Sequence, residues 1–377
     1  MIENQSFAAL PGVVFFGPVG VMSGLGSASR GYLSALRAAS IPTSVAPVHE
    51  LFVHQRSVGA TESPRGPSRP VAIVHVNADS VPRFLHFHGK AFARAKYRIG
   101  LWVWELPAFR DEWFAELEAF DEIWVPSTFV GRAVGAMTSK PVTLAPHVVF
   151  PPVATRMDWR KKLGFPDDAF VFLYVFDASS AVERKNPQCL VDAFEATFSS
   201  KDRARLVLKA LHAEEAAGFS TYLDALVARN PSVTVLRESL DPGALADLVL
   251  SCDCYASPHR SEGFGLTVAE AMAAGKPVIA TAYGGVADFL TEDVGYPLRY
   301  RLTEVEHDFG PYAKGAIWAE PSREHLGELL RALEADPGGA AAKAVRARDL
   351  MRERFSAAAI GRRLGKRLAT IADAVGA

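Results

Sequence analysis

The sequence predicts an α/β protein made of two doubly wound domains, each with a mainly parallel sheet between layers of helices. Strand-like apolar runs alternate with helical segments along most of the chain, which favours parallel sheets joined by helices. The 377 residues exceed what one hydrophobic core usually supports, so two domains are expected. With 49% hydrophobic and 22% charged residues, the composition is typical of a folded globular chain.

Composition also argues against several classes of protein. The formal net charge is −1, so nothing in the overall charge favours nucleic acid as a partner. No run of about eighteen apolar residues occurs, and residues 1–10 do not resemble a signal peptide. We therefore expect a cytoplasmic protein with at most peripheral contact with the inner face of the membrane. Cys252 and Cys254 end an apolar run, and we expect them to be buried strand residues rather than metal ligands.

The chain begins with the first strand–loop–helix unit of a doubly wound domain. Residues 13–17 form a buried-type strand, which leads into a flexible turn that contains Gly24 and Gly26. A helix of about ten residues is expected to follow and to end near Ala39. The residues after Gly26 are Ser-Ala-Ser, so the dinucleotide pattern Gly-x-Gly-x-x-Gly is not met. A nicotinamide-dependent oxidoreductase is disfavoured for this reason.

The rest of the first half supplies further strands and one aromatic stretch. Residues 57–70 are rich in Pro, Gly and Ser and predict a mobile surface loop. His75 ends the next strand, where a structural histidine is favoured over a ligand-binding one. Trp102 and Trp104 are predicted to share one face of a strand, and for most of the aromatic residues here we favour a role in the core over stacking on sugars.

A linker over residues 147–160 is expected to separate the two domains. The second domain then starts with a continuous apolar strand over residues 170–176, which is typical of a sheet buried on both faces. Arg184 and Lys185 follow in a strand-to-helix loop, where two adjacent cations either suit a diphosphate or form a solvated basic pair. Strands and helices alternate from there to the final helix, and residues 299–320 are expected to be irregular.

The stretch over residues 257–285 has the strongest chemical character. It predicts a glycine-flanked loop and then a helix over 266–274, and free N–H groups at the start of such a helix attract anions. Glu262 lies in the loop, where it either binds hydroxyl groups or is solvated. Glu270 is expected in the first turn of the helix. Thr267 and Glu270 also fit a capping box, so Glu270 is either a helix cap or a ligand-binding residue.

This stretch resembles the signature of glycosyltransferase family 4, the retaining enzymes of the GT-B fold. The family pattern of two glutamates with seven residues between them matches Glu262 and Glu270, in a Glu-Gly-Phe-Gly-Leu context, and Gly284-Gly285 also matches. The run from Trp102 to Pro107 is similar to bacterial members that build surface polysaccharides. At the crossing into the second domain the chain departs from the family, because Pro146 is followed by His-Val-Val instead of Asn-Gly-Val.

The resemblance implies a GT-B fold with two Rossmann-like domains that face each other across a cleft. Residues 1–150 would form the acceptor-side domain and residues 151–356 the nucleotide-sugar domain, with the helix over 357–377 packing back on the first. Glu262 would contact the transferred sugar, and Arg184 and Lys185 would hold the diphosphate. The other residues that the resemblance places at the nucleotide-sugar are Glu270 at the ribose, Gly263, Phe264, Gly265, Leu266 and Thr267 at the helix start, Gly24 and Gly26 in the first-domain loop, and Glu238 near the base.

The activity implied is transfer of a sugar from a UDP- or GDP-sugar to a hydroxyl of a glycan or lipid-linked glycan, with retention of configuration. Glu105 would be the residue closest to the acceptor. No cofactor and no metal are expected, since the chain contains no Asp-x-Asp motif and the cation pair can neutralise the leaving diphosphate. The alternative is a non-catalytic nucleotide-sugar-binding or scaffold protein with the same fold.

Overall fold

The computed structural model describes residues 10–52 and 69–375. The chain divides into two compact units, Met1–Phe150 with Glu353–Ala377 and Pro151–Arg352. Most of the predicted loop over residues 57–70 lies outside the described residues. None of the helices in the described part of the chain has the length and apolar character needed to cross a membrane.

The elements follow one another as alternating strands and helices. Before residue 150 they are β1 (Val13–Gly17), α1 (Gly24–Ala38), β2 (Thr43–Pro47), β3 (Val71–Val74), α2 (Val81–Phe92), β4 (Tyr97–Leu101), β5 (Glu122–Val125), α3 (Thr128–Gly135) and β6 (Val142–Leu144). After it they are α4 (Trp159–Lys162), β7 (Phe170–Asp177), α5 (Val182–Lys185), α6 (Pro187–Thr197), β8 (Ala204–Leu211), α7 (Phe219–Arg229), β9 (Val233–Leu236), α8 (Pro242–Ser251), β10 (Cys254–Ser257), α9 (Leu266–Ala273), β11 (Val278–Thr281), β12 (Tyr296–Leu298), β13 (Tyr300–Glu304), β14 (Ile317–Pro321), α10 (Arg323–Ala335), α11 (Pro337–Phe355) and α12 (Ala357–Val375).

The first unit contains a parallel six-stranded sheet in the order β2-β1-β3-β4-β5-β6. Its core joins apolar strand residues to α1 and α12. Helix α12 contributes Ile360, Leu364, Leu368 and Ile371, which recur at helical spacing and so form one apolar face. Gly361 lets α12 approach α1 closely, because a Cβ atom there would lie 2.5 Å from the carbonyl oxygen of Ala35.

A buried ion pair fixes α12 to this sheet. The carboxylate of Glu122 in β5 is fully buried and accepts hydrogen bonds from Arg367 in α12, with 2.8 Å between Nη2 and Oε2. Tyr97, Trp124 and Thr143 donate to the same carboxylate. Burial raises the pKa of Glu122, but these hydrogen bonds outweigh it and leave the pKa below its usual value. The carboxylate therefore stays ionised inside the first unit.

The second unit contains a parallel six-stranded sheet in the order β12-β11-β10-β7-β8-β9. Strands β7 and β8 pair over eight residues, from Phe170 opposite Ala204 to Asp177 opposite Leu211. Seven of the eight residues in β7 are buried, as expected for a central strand covered on both faces. Because its strands are parallel, the loops that lead from a strand to the next helix all start at the carboxyl edge of this sheet.

The segment that the sequence marks as a linker is held by specific contacts within each unit. His147 is buried in the first unit, and its Nδ1 lies 2.9 Å from the hydroxyl oxygen of Tyr32. In the second unit, the buried Asp247 of α8 accepts hydrogen bonds from the backbone N–H groups of Thr155 and Met157, both at 2.8 Å. These contacts leave only a short stretch around Pro151 without such anchors.

Two predictions about local structure are wrong. Residues 299–320 are not irregular, because β13 and β14 pair there as an antiparallel hairpin. The turn that contains Gly24 and Gly26 is already the first turn of α1, with Ser23 as its N-cap accepting from Gly26 N–H. Position 26 must be glycine in this turn, because a Cβ atom would lie 2.0 Å from the carbonyl oxygen of Val21.

The aromatic stretch lies mainly in the core, as predicted. Trp102 and Trp104 follow β4 instead of lying in it, and both are buried. Trp102 stacks on Phe109 with their ring centroids 5.6 Å apart. The ring of His75 is fully buried and its Nδ1 lies 2.7 Å from the hydroxyl oxygen of Ser29, whereas its Nε2 makes no hydrogen bond to any residue that the structure describes, so a structural role for His75 stays a prediction. Cys252 and Cys254 are buried free thiols.

Candidate functional site

The loop that carries Glu262 leaves the carboxyl end of β10 and leads directly into α9. Gly265 is the N-cap of this helix and has a φ of +88°, a conformation that favours glycine. A Cβ atom at this position would also lie 2.3 Å from Val286. Since the N-cap has no side chain, the first N–H groups of α9 receive no side-chain cap and are oriented for an anionic ligand.

The glycine pair after β11, Gly284 and Gly285, packs against the backbone of this loop. Gly285 N–H donates to the carbonyl oxygen of Glu262 at 2.7 Å. A Cβ atom at position 284 would lie 2.4 Å from that same oxygen, and one at position 285 would lie 2.2 Å from the carbonyl oxygen of Gly263. The two backbones can approach this closely only because neither position carries a side chain. These contacts fix the backbone position of Glu262 relative to the sheet.

Arg184 and Lys185 lie in the short helix α5, and the structure brings both to Glu262. Lys185 Nζ is 2.5 Å from Glu262 Oε1, and Arg184 Nη1 is 3.3 Å from the same oxygen. The side chain of Arg184 is only 3% exposed, so this is a buried ion cluster and not a solvated basic pair. Two cations and one anion meet here, which leaves one net positive charge at the start of α9.

Several contacts keep the turn around α5 in place. The Lys185 carbonyl oxygen accepts from the hydroxyl of Tyr174 at 2.7 Å, and the Arg184 carbonyl oxygen accepts from Arg260 N–H at 2.7 Å. The residues on either side of α5, Ala181 and Asn186, have φ values of +62° and +52°. A left-handed conformation at an alanine costs about 1 kcal/mol or more, so the rest of the unit must hold this turn in a strained state.

The charge state of Glu262 follows from these neighbours. Burial raises the pKa of Glu262, but the charges of Lys185 and Arg184 outweigh it and lower the pKa to about 2. His259, three residues earlier, is fully buried with its Nδ1 3.1 Å from the hydroxyl oxygen of Ser257, and burial lowers its pKa to about 4. At neutral pH the cluster therefore contains an ionised glutamate and a neutral histidine.

Glu270 has a different environment, its predicted place in the helix is wrong, and one of the two alternatives for its role is excluded. It lies in the second turn of α9, not the first, and it does not form a capping box, because Gly265 and not Thr267 is the N-cap. Its carboxyl group accepts no hydrogen bond from any residue that the structure describes. Burial raises the pKa of Glu270 to about 7. A carboxyl group in this position can hydrogen-bond to a ligand's hydroxyl groups.

The other predicted site residues fall into two groups. Gly263, Phe264, Leu266 and Thr267 lie in the Glu262 loop or in the first turn of α9, next to the cluster. Glu238 is exposed in the loop after β9, at the same edge of the sheet. Gly24 and Gly26 belong to the first unit, where they form the first turn of α1. Among the residues that the structure describes, no group of three or more His, Cys, Asp or Glu is arranged to hold a metal ion.

The β13–β14 hairpin contributes residues to this site that the sequence pattern did not indicate. Tyr312, in its connecting loop, is buried, and the Arg184 guanidinium carbon lies 5.5 Å from the centre of its ring. Arg260 Nε donates to Glu320 in β14 at 2.7 Å, and its Nη1 donates to the carbonyl oxygen of Glu183 at 2.7 Å. The hairpin thus helps to fix the position of α5, which carries Arg184 and Lys185. No periodic pattern in the sequence indicated these strands, because most residues of β13 are exposed.

A family model, glycosyl transferases group 1, matches residues 155–349, which include the ion cluster, Glu270 and both supporting glycines. The chain belongs to this family. Among curated relatives, D-inositol 3-phosphate glycosyltransferase of Actinosynnema mirum is 35% identical over 138 residues, 35% of this chain and 32% of the relative. The corresponding enzyme 2 of Catenulispora acidiphila is 31% identical over 160 residues, 41% and 36% of the two chains. The match spans about a third of the length of these relatives.

Solved structures of similar proteins extend the likeness of fold to nearly the whole chain. Anabaena HepE in complex with UDP and glucose has a TM-score of 0.68 and 15% identity, covering 96% of this chain and all of HepE. Sucrose-phosphate synthase from Thermosynechococcus elongatus has a TM-score of 0.68 and 19% identity, covering 97% of this chain and all of that one. With the two parallel sheets, these likenesses confirm the predicted GT-B fold class of two Rossmann-like α/β domains.

Proposed function

We propose that this protein transfers a sugar from a UDP- or GDP-sugar to a hydroxyl group of a glycan or lipid-linked glycan, with retention of the anomeric configuration. The observation that carries the proposal is the buried cluster of Lys185, Arg184 and Glu262 at the uncapped start of α9. It places fixed positive charge beside free N–H groups, which is what a departing diphosphate requires.

The chemistry follows from the bond that breaks. The bond between the anomeric carbon and the β-phosphate oxygen breaks, and its electron pair stays on the diphosphate. The acceptor oxygen forms the new bond to the anomeric carbon from the same face, and its proton passes to the departing phosphate. Arg184, Lys185 and the α9 N–H groups stabilise the charge on the diphosphate, so the step needs no metal ion. Glu262 contacts the sugar, and Glu270 accepts hydrogen bonds from the ribose hydroxyls.

The place of the reaction in the cell is a further part of the proposal. The run from Trp102 to Pro107 supports synthesis of a bacterial surface polysaccharide or glycoconjugate, on the cytoplasmic side and with at most peripheral membrane contact. The names of the inositol phosphate enzymes do not indicate which acceptor this chain uses, because the match covers only about a third of those relatives. Glu105 is half-buried in the loop after β4 and is the candidate acceptor contact in the first unit.

Ligand-dependent thermal unfolding, followed by turnover, tests this proposal. The purified chain is scanned with UDP-, GDP- and ADP-sugars in EDTA, with NAD as a negative control. We expect one nucleotide sugar to raise Tm, and Lys185→Ala and Glu270→Ala to abolish the rise, whereas Lys201→Ala, at an exposed position of the same unit, retains it. Absence of a rise with every nucleotide sugar would refute the proposal.

Turnover separates an enzyme from a scaffold. Release of the nucleoside diphosphate on addition of glycan acceptors, in EDTA and with an α-linked donor giving an α-linked product by NMR, is the expected result. Binding of a nucleotide sugar without release on any acceptor would favour the non-catalytic alternative. A β-linked product from an α-linked donor would refute retention, and a strict need for a divalent cation would refute the metal-independent mechanism.

A further inference from the structure

Lys209, in the sheet of the second unit, is buried without a hydrogen-bond partner. It lies near the end of β8 and is 1% exposed. Its Nζ makes no hydrogen bond to any residue that the structure describes. Lysine is almost never fully buried unless its ammonium group is paired, because an unpaired charge loses its hydration and gains nothing in return. The fold therefore keeps an ammonium group without a hydrogen-bond partner, among the residues described, in the core beside the carboxyl edge of the sheet.

The register of the sheet identifies the groups around this ammonium. Lys209 lies opposite Val175 of β7 and Leu236 of β9. Two residues further along the neighbouring strands are Asp177, which ends β7, and Glu238, in the loop after β9. Side chains two residues apart in a strand share a face, so Asp177 lies on the same face of the sheet as Lys209, at its open edge. The carboxylates of Asp177 and Glu238 both influence Lys209 electrostatically without accepting a hydrogen bond from it.

One of these carboxylates is already engaged. Asp177 Oδ1 accepts from the backbone N–H of Ser179 at 3.0 Å and lies 2.9 Å from His212 Nδ1. The hydrogen bond with Asp177 raises the pKa of His212, which favours its cationic form. Burial lowers the pKa of Lys209, and the charges of Glu238 and Asp177 oppose this only in part. The groups of the described residues thus leave the three N–H bonds of Lys209 without an acceptor.

We propose that Lys209 is a nucleotide-binding residue, whose ammonium group donates a hydrogen bond to an oxygen of the nucleoside part of the nucleotide sugar. Ligands of open parallel sheets collect at the carboxyl ends of the strands, which is where Lys209 lies. The carboxylates of Asp177 and Glu238 would repel a phosphate group at this position, whereas a base carbonyl or a ribose hydroxyl is neutral. Glu238 accepts from a hydroxyl or N–H group of the same nucleoside. This inference rests on the proposed function.

The variant Lys209→Met keeps the length of the side chain and removes the donor. By calorimetry with UMP, UDP, GMP and GDP, we expect the nucleotides that wild type binds to bind about 10- to 100-fold more weakly, the range for one hydrogen bond from a charged group. The loss is equal for monophosphate and diphosphate, because the nucleoside is common to both. Without ligand, the Tm of the variant equals or exceeds that of wild type, because an apolar side chain replaces an unpaired buried charge.

A matched lysine provides the contrast. Lys276 Nζ donates to the carbonyl oxygens of Leu250 and Cys252 at 2.6 and 2.8 Å, so its role is structural. Lys276→Met is expected to lower Tm and to leave nucleotide affinity unchanged. The inference is overturned if Lys209→Met also lowers Tm and leaves nucleotide affinity unchanged. It is overturned as well if the variant weakens the binding of diphosphates but not of monophosphates. If wild type binds none of the four nucleotides, the proposed function itself fails. Tight binding by wild type with unchanged affinity in Lys209→Met refutes the inference alone.

Discussion

Replacing Glu270 by Gln tests whether this carboxyl group is held in a water-poor position that a ligand fills. Burial raises its pKa from the ordinary value of 4.5 to about 7. The folded protein therefore binds this proton more tightly than the unfolded chain does, so the contribution of Glu270 to the free energy of unfolding is largest below pH 4.5 and falls as the pH rises to 7. Glutamine has no such proton, and the variant keeps the stability that wild type loses.

The size of the effect follows from the pKa. One pKa unit corresponds to about 1.4 kcal/mol, so ionising a fully shielded Glu270 would cost about 3 kcal/mol at pH 8. The residue is partly accessible to solvent, and screening reduces this cost by about half. For a unit of about two hundred residues that corresponds to about 3–6 °C in Tm.

Thermal unfolding between pH 4.5 and 8, without nucleotide, is the measurement. We expect Glu270→Gln to unfold about 3–6 °C above wild type at pH 8 and at the same temperature at pH 4.5. Glu122→Gln is the control of opposite sign. Its partners hold the pKa of Glu122 below the usual value, so its ionised form stabilises the fold at neutral pH and that stabilisation is lost in acid. The Glu122→Gln variant is therefore least stable relative to wild type at high pH.

The outcome that refutes this reasoning is a Glu270→Gln variant whose Tm relative to wild type does not change with pH, or falls below wild type at pH 8. Either result would mean that Glu270 is solvated or hydrogen-bonded in the free protein. It would then lack the unmet bonding capacity on which its proposed role at the ribose rests. A nucleotide titration supplies the second readout, since loss of a hydrogen bond to a charged acceptor should weaken binding about tenfold or more.

Three further predictions concern single contacts. Lys185→Met should lower kcat/KM for transfer about 10²- to 10³-fold in a diphosphate-release assay, and an effect below tenfold would leave Arg184 as sufficient. Arg367→Met should cost about 3 kcal/mol in urea unfolding at pH 7, because it leaves a buried carboxylate without its cation, and a cost under 1 kcal/mol would contradict this. Gly265→Ala should destabilise the fold by about 2–3 kcal/mol, because a Cβ atom there would collide with Val286 as well as strain the backbone. The control Gly164→Ala, which has a positive φ but open space around it, should cost about 1 kcal/mol. Equal costs would show that the side chain of Val286 moves aside.

The regular parts of the fold follow from local patterns that the sequence displays. The strand from Phe170 to Phe176 follows from a continuous apolar run, and the apolar face of α12 follows from helical spacing. Both are found where these patterns place them. The hairpin over 300–321 was missed for a physical reason. Four of the five residues in β13 are exposed, so the strand exists through its pairing with β14 and not through an apolar face of its own.

Glycine and capping patterns were ambiguous because more than one backbone solution satisfies them. Gly24 and Gly26 suggest a loop when glycine is taken as flexible. The close approach of Val21 instead requires glycine inside the first turn of a helix. Thr267 and Glu270 fit a capping box, yet Gly265 takes the N-cap position because its positive φ and contact with Val286 set where the helix starts. In both places a tertiary contact, invisible in the local pattern, decides between two local options.

The ion cluster illustrates what no local pattern supplies. Lys185 and Glu262 are 77 residues apart, and each has an ordinary solvated interpretation until β7 and β10 become neighbours in the sheet. Their contact also constrains binding. In the free protein Lys185 already pairs with Glu262, so under the proposed function an incoming diphosphate would meet one net positive charge and would share Lys185 with the glutamate. In the proposed reaction, lengthening the Lys185–Glu262 contact would leave the net charge of the cluster unchanged but would turn the lysine's charge from the glutamate to the leaving group as negative charge develops there, which is where stabilisation accelerates the reaction.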